Sequence, residues 1–245
     1  MGVTETRGRG PLMAEEIVVR SPYDDAEVGR VRASTGADAK AAIAAAKAAL
    51  AGDPLPQWRR AEILDAAASA LAAQREDFAR TIAAEAAKPI KTARVEADRA
   101  VSTFTFAAAE CRVLAGEMVA MEASEVGEGK LGFVLRVPIG VVGGITPFNF
   151  PLNLVAHKVA PAIAAGCPIV VKPASQTPLS ALKLRDLLVE QCGLPSPWFQ
   201  VVPGPSGEVG TAIVTSDDIA LITFTGSPPV GWSIREQAPK KRVGL

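Results

Sequence analysis

Two polar side chains follow predicted buried strands near the middle of the chain. Asn149 comes shortly after the apolar run 139–145, and Lys172 comes directly after the apolar run 167–171. The segment between them predicts a helix from about Leu152 to Gly166. Open α/β sheets bind ligands at the carboxyl ends of their strands, so these two residues indicate a site. Asn is also a common turn residue, and a Lys at a strand end is often a solvated charge. Residue type alone therefore leaves open that neither residue has a functional role.

A third candidate group lies at Phe224-Thr225-Gly226-Ser227, which predicts a strand end, a turn and a helix start. Ser227 suits the N-cap position and Pro228 the first helical position. A helix N-terminus also favours anions such as a pyrophosphate. Capping and anion binding are therefore both open for Ser227.

Three glycines, Gly204, Gly207 and Gly210, follow another predicted strand. Pro205 lies between them and argues against a standard dinucleotide-binding fingerprint. His157 is the single histidine, and its place in a predicted helix favours a surface or packing role.

The elements that must position these residues alternate between strand and helix in the second half of the chain. This alternation predicts a parallel α/β sheet. Upstream, Ala-rich segments without a strict heptad predict a packed helical layer, which we favour over a coiled coil. The predicted helices are 38–50, 57–85, 90–114, 152–166, 177–192, 206–214 and 227–237. The predicted strands are 16–20, 27–33, 116–122, 130–137, 139–145, 167–171, 198–202, 219–224 and 240–245.

Composition narrows the class of protein. The 245 residues carry no net charge and no basic block, which argues against nucleic acid as a partner. No apolar run reaches the ~18 residues that would span a bilayer, and no signal-peptide pattern is seen, so we expect no membrane partner and a cytoplasmic location. Three scattered cysteines fit a reducing compartment and neither a zinc site nor a disulfide framework.

The motifs T-P-F-N-F-P-L, the helix A-P-A-I-A-A-G, V-K-P-A-S-Q-T-P-L-S, V-P-G and F-T-G-S, in this order and spacing, resemble the NAD(P)-dependent aldehyde dehydrogenase superfamily. The resemblance covers essentially the whole chain. It implies an α/β fold with a Rossmann-type parallel sheet, an N-terminal helical layer and a protruding β-hairpin, with the catalytic domain missing. The expected parts are a mobile N-terminus (1–12), a hairpin and helical part (13–115), an oligomerisation hairpin (116–137) and the NAD(P)-binding part (138–245).

The resemblance also implies roles for individual residues. Asn149 would donate its amide to the oxyanion of the reaction intermediate, and Lys158 resembles a lysine near the proton path, although a surface lysine is an equal alternative. Ser175 stands where many NAD-preferring relatives have Glu, so we expect NADP as well as NAD to be accepted. The residues implied at the cofactor are Ile145, Thr146, Pro147 and Phe148 on the nicotinamide side, Lys172 and Ser175 at the ribose, Gly204, Gly207 and Gly210 near the adenine, and Phe224, Thr225, Gly226, Ser227 and Val230 at the pyrophosphate; no metal ligand is implied.

The reaction implied is oxidation of a small aldehyde to a carboxylic acid, by a Cys thiolate, hydride transfer to NAD(P)+ and a Glu that activates water. Neither that Cys nor that Glu lies here in a matching context, so we expect a partial or truncated form that is inactive alone. Two alternatives stay open: a non-catalytic nucleotide-binding module or regulatory subunit, and a CoA-acylating relative. The motifs lean towards the semialdehyde, lactaldehyde and glyceraldehyde-3-phosphate branches. A homo-oligomer, dimer or tetramer, is implied for the complete form.

Overall fold

Short apolar strands in the second half of the chain form a five-stranded parallel sheet in the computed structural model, which describes residues 15–245. The strands are β1 (Glu16–Arg20), β2 (Glu27–Arg32), β3 (Glu117–Val119), β4 (Gly132–Val134), β5 (Val141–Ile145), β6 (Ile169–Lys172), β7 (Phe199–Val201), β8 (Ile219–Phe224) and β9 (Arg242–Gly244). The helices are α1 (Gly36–Gly52), α2 (Gln57–Ala73), α3 (Arg75–Ala86), α4 (Ile90–Val113), α5 (Asn153–Ala164), α6 (Leu179–Asp186), α7 (Thr211–Thr215) and α8 (Pro228–Gln237). The predicted parallel α/β sheet is confirmed.

The central strand of this sheet is β5, in the order β7-β6-β5-β8-β9. Two glycines let neighbouring elements approach it closely, helix α7 at Gly143 and strand β6 at Gly144. A Cβ added at Gly143 would lie 2.6 Å from Ile213 Cγ2 of α7, and one added at Gly144 would lie 3.1 Å from Val171 Cγ2 and 3.6 Å from Lys158 Cδ of α5. The strand is consequently buried on both faces, as in other parallel sheets.

Two apolar clusters pack on the opposite faces of the sheet. The larger one includes the stripe Ala93, Ala97, Ala100 and Phe104 of α4, which recurs at helical spacing, together with residues of α2, α3, α5 and α6. The smaller one joins α1, α7 and α8 to the other face. The predicted N-terminal helical layer thus contributes to both faces.

The prediction of one helix over 57–85 is wrong, because the chain leaves helical geometry at Gln74 (φ −103°, ψ 18°). The break is held by contacts to two other elements. The Gln74 side-chain amide donates to Gln191 Oε1 at 2.8 Å, and Arg75 pairs with Asp98 of α4. Helix α3 then buries Phe78 in the same core as α2.

The hairpin predicted over 116–122 and 130–137 pairs over only three residues in each strand. The chain between the two strands contains two 3₁₀ turns, Met121–Ala123 and Glu125–Gly127. Apolar side chains of β3 and β4 such as Met118 and Phe133 are exposed. The oligomerisation role of this hairpin stays a prediction.

The helix predicted over 177–192 is also shorter than expected. Helix α6 is followed by a wider π-helical turn at Leu187–Gln191, and a similar turn at Ser206–Gly210 precedes α7. The predicted mobile segment 1–12 lies outside the described residues. Within residues 15–245, none of the helices combines the length and apolar character that crossing a bilayer needs.

A buried carboxylate begins α6. Glu85 of α3 is fully buried, and its two oxygens accept from the backbone N–H groups of Leu179 and Ser180 at 2.8 and 3.0 Å. These donors belong to the first turn of α6, where no intrahelical acceptor exists. Loss of solvent nevertheless dominates over these bonds and raises the pKa of Glu85 to about 7.

This pKa makes the stability of the chain depend on pH. The folded protein holds the Glu85 proton from about pH 4.5 to about pH 7, where the unfolded chain releases it, so this carboxyl reduces stability as pH rises through that window. We expect the unfolding free energy of Glu85→Gln, relative to that of the wild type, to rise by up to about 3 kcal/mol from about pH 5 to about pH 8. Urea unfolding at both pH values measures it, with the exposed Glu122→Gln as control. A difference that does not change with pH would contradict the assignment.

Candidate functional site

The carboxyl ends of β5, β6 and β8 meet at one edge of the sheet and border a cleft of about 470 Å³. A second cavity of about 310 Å³ lies beside it, between the sheet edge, α7 and α8. Both are lined by Ile145, Lys172, Ser206 and Val230, so they form one groove. The groove brings together these residues expected at the cofactor: Ile145, Thr146, Pro147, Lys172, Ser175, Gly210, Phe224, Thr225, Gly226, Ser227 and Val230.

Lys172 ends β6 opposite Ile145 of β5 and is only 3% exposed. Its ammonium group donates to the carbonyl of Pro173 at 3.3 Å, and burial lowers the pKa of Lys172. Among the residues that line the groove in the described part of the chain, Lys172 is the one that carries a charge. It is therefore a desolvated donor that an anionic or hydroxyl-bearing ligand would satisfy.

Ser175 lies in the loop after β6, and its hydroxyl donates to the carbonyl of Gly204 at 3.2 Å. No carboxylate lines the groove within residues 15–245. The acidic residue of the neighbouring turn, Glu208, accepts from the Gly36 N–H at 2.6 Å and is thereby held at the start of α1. The lining of the groove within the described residues thus carries no negative charge that would repel a phosphate.

Ser227 occupies the N-cap position of α8, as predicted, in an extended conformation (φ −74°, ψ 145°). Its side chain makes no capping hydrogen bond, so the capping reading fails and the hydroxyl remains free for a ligand. Pro228 and Pro229 have no N–H, so the Val230 N–H is the first backbone donor that this helix offers.

Of the three candidate glycines, one lines the groove. A Cβ at Gly210 would meet Lys172 Cδ at 3.8 Å, in ordinary contact. Gly204 instead packs on the Ser34 backbone, where an added Cβ would lie 2.4 Å from the carbonyl oxygen. Gly207 is exposed, and a Cβ there would meet nothing within 4 Å.

Asn149 and Phe148 are exposed in the turn between β5 and α5, outside the lining of the groove. The turn begins at Pro147, which does line it. Asn149 therefore stands next to the Thr146–Pro147 end of the groove, with its side chain open to solvent.

The start of α5 is held by a second buried carboxylate. Glu96 of α4 accepts from the N–H groups of Leu152 and Asn153 at 3.0 and 3.1 Å through one oxygen. Its other oxygen accepts from Lys88 Nζ at 2.5 Å. The same ammonium lies 3.8 Å from the centre of the Phe150 ring, within cation–π range.

Lys158 of α5 is buried, so the alternative of a surface lysine is wrong for this residue. Its Nζ donates to Thr225 Oγ1 at 2.8 Å and to Thr223 Oγ1 at 3.2 Å, and burial lowers its pKa to about 8. Since Thr225 lines the groove, Lys158 reaches the groove through this hydroxyl. His157 lies on the exposed side of α5, in line with a surface role.

All three cysteines are buried, and none of them lines the groove. Cys111 Sγ lies 3.5 Å from the Gln57 carbonyl, and burial raises the pKa of the Cys192 thiol. A nucleophilic cysteine must be exposed to its substrate, and these three thiols are buried. Within residues 15–245, no cluster of acidic, His and Cys side chains is suited to a metal ion.

Sequence reasoning missed several residues of the site. The groove is also lined by Ser206, Thr211, Ser233 and Gln237. The two buried glutamates had a readable signal, because Glu96 falls on the apolar stripe of α4 and Glu85 lies one turn after Ile82 on the buried face of α3. A charged residue in such a stripe requires a partner.

Comparison with known proteins agrees with this geometry. The model of the aldehyde dehydrogenase family matches residues 12–245. The chain belongs to the aldehyde dehydrogenase family. It is 40% identical over 238 residues to a 3-sulfolactaldehyde dehydrogenase of Priestia aryabhattai, which covers 97% of this chain and 50% of the relative.

Solved structures of family members share the fold. Aldehyde dehydrogenase 21 of Physcomitrella patens, in complex with succinate, superposes with a TM-score of 0.89 at 40% identity, over 94% of this chain and 48% of that one. A glyceraldehyde-3-phosphate dehydrogenase of Methanocaldococcus jannaschii complexed with NADP gives 0.86 at 36% identity, over 93% and 49%. The chain spans about half the length of these relatives.

Proposed function

We propose that this chain provides the NAD(P)-binding site and the oxyanion-stabilising amide of an enzyme that oxidises an aldehyde to a carboxylic acid. The observation that carries the proposal is the single groove in which Lys172, the free Ser227 hydroxyl and the Ile145–Pro147 segment converge. Family membership and the NADP-complexed relative support it. Bound NAD(P)+ would accept the hydride of the aldehyde.

The residues of the groove divide into three sets in this proposal. Lys172 and Ser175 would hold the adenosine ribose, and Gly210 would lie on the adenine side. Ser227 and the Val230 N–H would hold the pyrophosphate at the start of α8, where the helix dipole favours anions. Thr146 and Pro147 would lie on the nicotinamide side.

Asn149 stands beside the nicotinamide end and donates its amide N–H to the carbonyl oxygen of the substrate as negative charge develops there. One such preorganised donor contributes about 3 kcal/mol to transition-state stabilisation. The buried Lys158, with a pKa of about 8, holds the hydroxyl of Thr225 and can exchange a proton near neutral pH.

Nucleotide binding by the 245-residue chain tests the proposal. We expect saturable binding of NADP+ in a calorimetric titration, and we expect Lys172→Met to weaken it by about tenfold or more, because a charge-assisted hydrogen bond to the ribose is lost. Met has a similar length and suits a buried position. Lys40→Met, on the exposed surface of α1, is the matched control and should leave the affinity unchanged. Absence of NADP+ and NAD+ binding by the wild type would refute the proposed function.

Ser175 determines which cofactor is accepted. We expect the wild type to bind NADP+ at least as well as NAD+, since the groove has no carboxylate near this ribose. Ser175→Glu places a negative charge there and should weaken NADP+ by at least about tenfold, because like charges repel, while NAD+ changes little. The ratio of the two dissociation constants measures the effect. A strong NAD+ preference in the wild type would contradict this assignment.

A second candidate function, a nucleotide-binding module without chemistry of its own, is favoured by the burial of all three thiols. We expect the 245-residue chain to form no NAD(P)H from lactaldehyde, succinic semialdehyde, glyceraldehyde 3-phosphate or 3-sulfolactaldehyde. Absorbance of NAD(P)H is the readout. Turnover that disappears on replacing Cys111, Cys167 or Cys192 by Ser would show that the chain itself supplies a nucleophile.

A further inference from the structure

The turn that contains Asn149 receives little support from its own side chains. Asn149 and Phe148 are exposed, and the hydroxyl of Thr177 lies 3.5 Å from the Phe148 carbonyl, at the limit of a hydrogen bond. An oxyanion donor must nevertheless be fixed before the reaction in order to stabilise charge. The question is therefore which residues hold this turn.

The contacts that hold it come from α4 and the loop before it. Glu96 accepts from the two N–H groups at the start of α5, three and four residues after Asn149. Lys88 links the same carboxylate to the face of the Phe150 ring, directly after Asn149. The chain on the C-terminal side of Asn149 is thus held at three points, at the Phe150 ring and at the backbone N–H groups of Leu152 and Asn153.

This arrangement is more than the cap of a helix. A cap satisfies the free N–H groups, and Glu85 does so at α6 with no cationic side chain of residues 15–245 paired to it. At α5 the carboxylate is in addition paired with Lys88, whose side chain is 15% exposed against 0% for Glu96. The ammonium is oriented by Glu96 and in turn fixes the aromatic ring beside the oxyanion residue.

We propose that Glu96, acting through Lys88 and the start of α5, is the positioning residue for Asn149. This inference rests on the proposed role of Asn149 in the reaction. Glu96 is not among the residues that line the groove, so it acts only through the turn.

The sequence allows a direct test, because Asn149 and Asn153 are the only asparagines in the chain. Selective labelling with ¹⁵N-asparagine gives two backbone amide signals and two pairs of side-chain amide signals, which Asn149→Asp assigns. The Asn153 backbone amide reports its hydrogen bond to Glu96, and the Asn149 signals report the turn. No nucleotide is needed.

Glu96→Met removes both acceptor oxygens, so we expect it to accelerate hydrogen exchange of the Asn153 amide by at least tenfold and to lower the order parameter of Asn149 from about 0.85 towards 0.6 or below. Lys88→Met keeps the acceptor for Asn153 but removes the nearer of the two cations over the Phe150 ring, so it should disturb the Asn149 signals and leave the Asn153 exchange rate nearly unchanged. Glu85→Met is the matched control, a buried glutamate at another helix start, and should change neither.

Each outcome decides the proposal. If Glu96→Met alters Asn153 alone, Glu96 is a helix cap and the proposal is wrong. If Glu85→Met disturbs Asn149 as much as Glu96→Met does, the effect is general loosening and the proposal is also wrong. If Glu96→Met does not fold, the response of Asn149 to Lys88→Met decides by the same criterion. A wild type that binds neither NADP+ nor NAD+ refutes the proposed function, whereas the Asn149 signals still show whether Glu96 holds the turn.

Discussion

The buried ion pair of Lys88 and Glu96 is the interaction on which the geometry of the site depends. A carboxylate without solvent is costly, and removing one partner of a buried pair typically costs about 3–5 kcal/mol. Here the cost is offset by an ammonium and two backbone N–H groups that all need an acceptor. The pair ties the helical layer to the start of α5, so the helices upstream of the sheet determine where its ligand-binding edge places side chains.

The buried charges at the sheet edge itself are positive. Lys158 and Lys172 are both buried there, and desolvation lowers the pKa of each. Lys158 is satisfied by two threonine hydroxyls, whereas Lys172 reaches only a carbonyl at 3.3 Å. The two lysines therefore differ in how much they gain from a ligand. This difference supports separate roles, with Lys172 at the cofactor and Lys158 at a proton-exchanging hydroxyl.

The local patterns predicted the elements better than the contacts between them. Strand β8 has the predicted bounds, because turn-forming residues on both sides delimit its apolar run. The break at Gln74 was missed, since it depends on Gln191 and Asp98, which are distant in sequence. Burial of Lys172 was likewise not readable, because it depends on residues distant in sequence, such as Gly210, which lies against the Lys172 side chain. For Glu85 and Glu96, in contrast, the sequence does carry the information, because helical spacing places both charges on the buried faces of their helices.

A glycine at the centre of β5 couples packing to the shape of the groove. A Cβ at Gly143 would lie 2.6 Å from Ile213 Cγ2 of α7, the helix that carries Thr211 of the cavity of about 310 Å³. A side chain at this position must therefore displace α7 from the sheet, because a close-packed interior leaves no spare volume. A substitution inside the strand would in this way change the groove without replacing any residue that lines it.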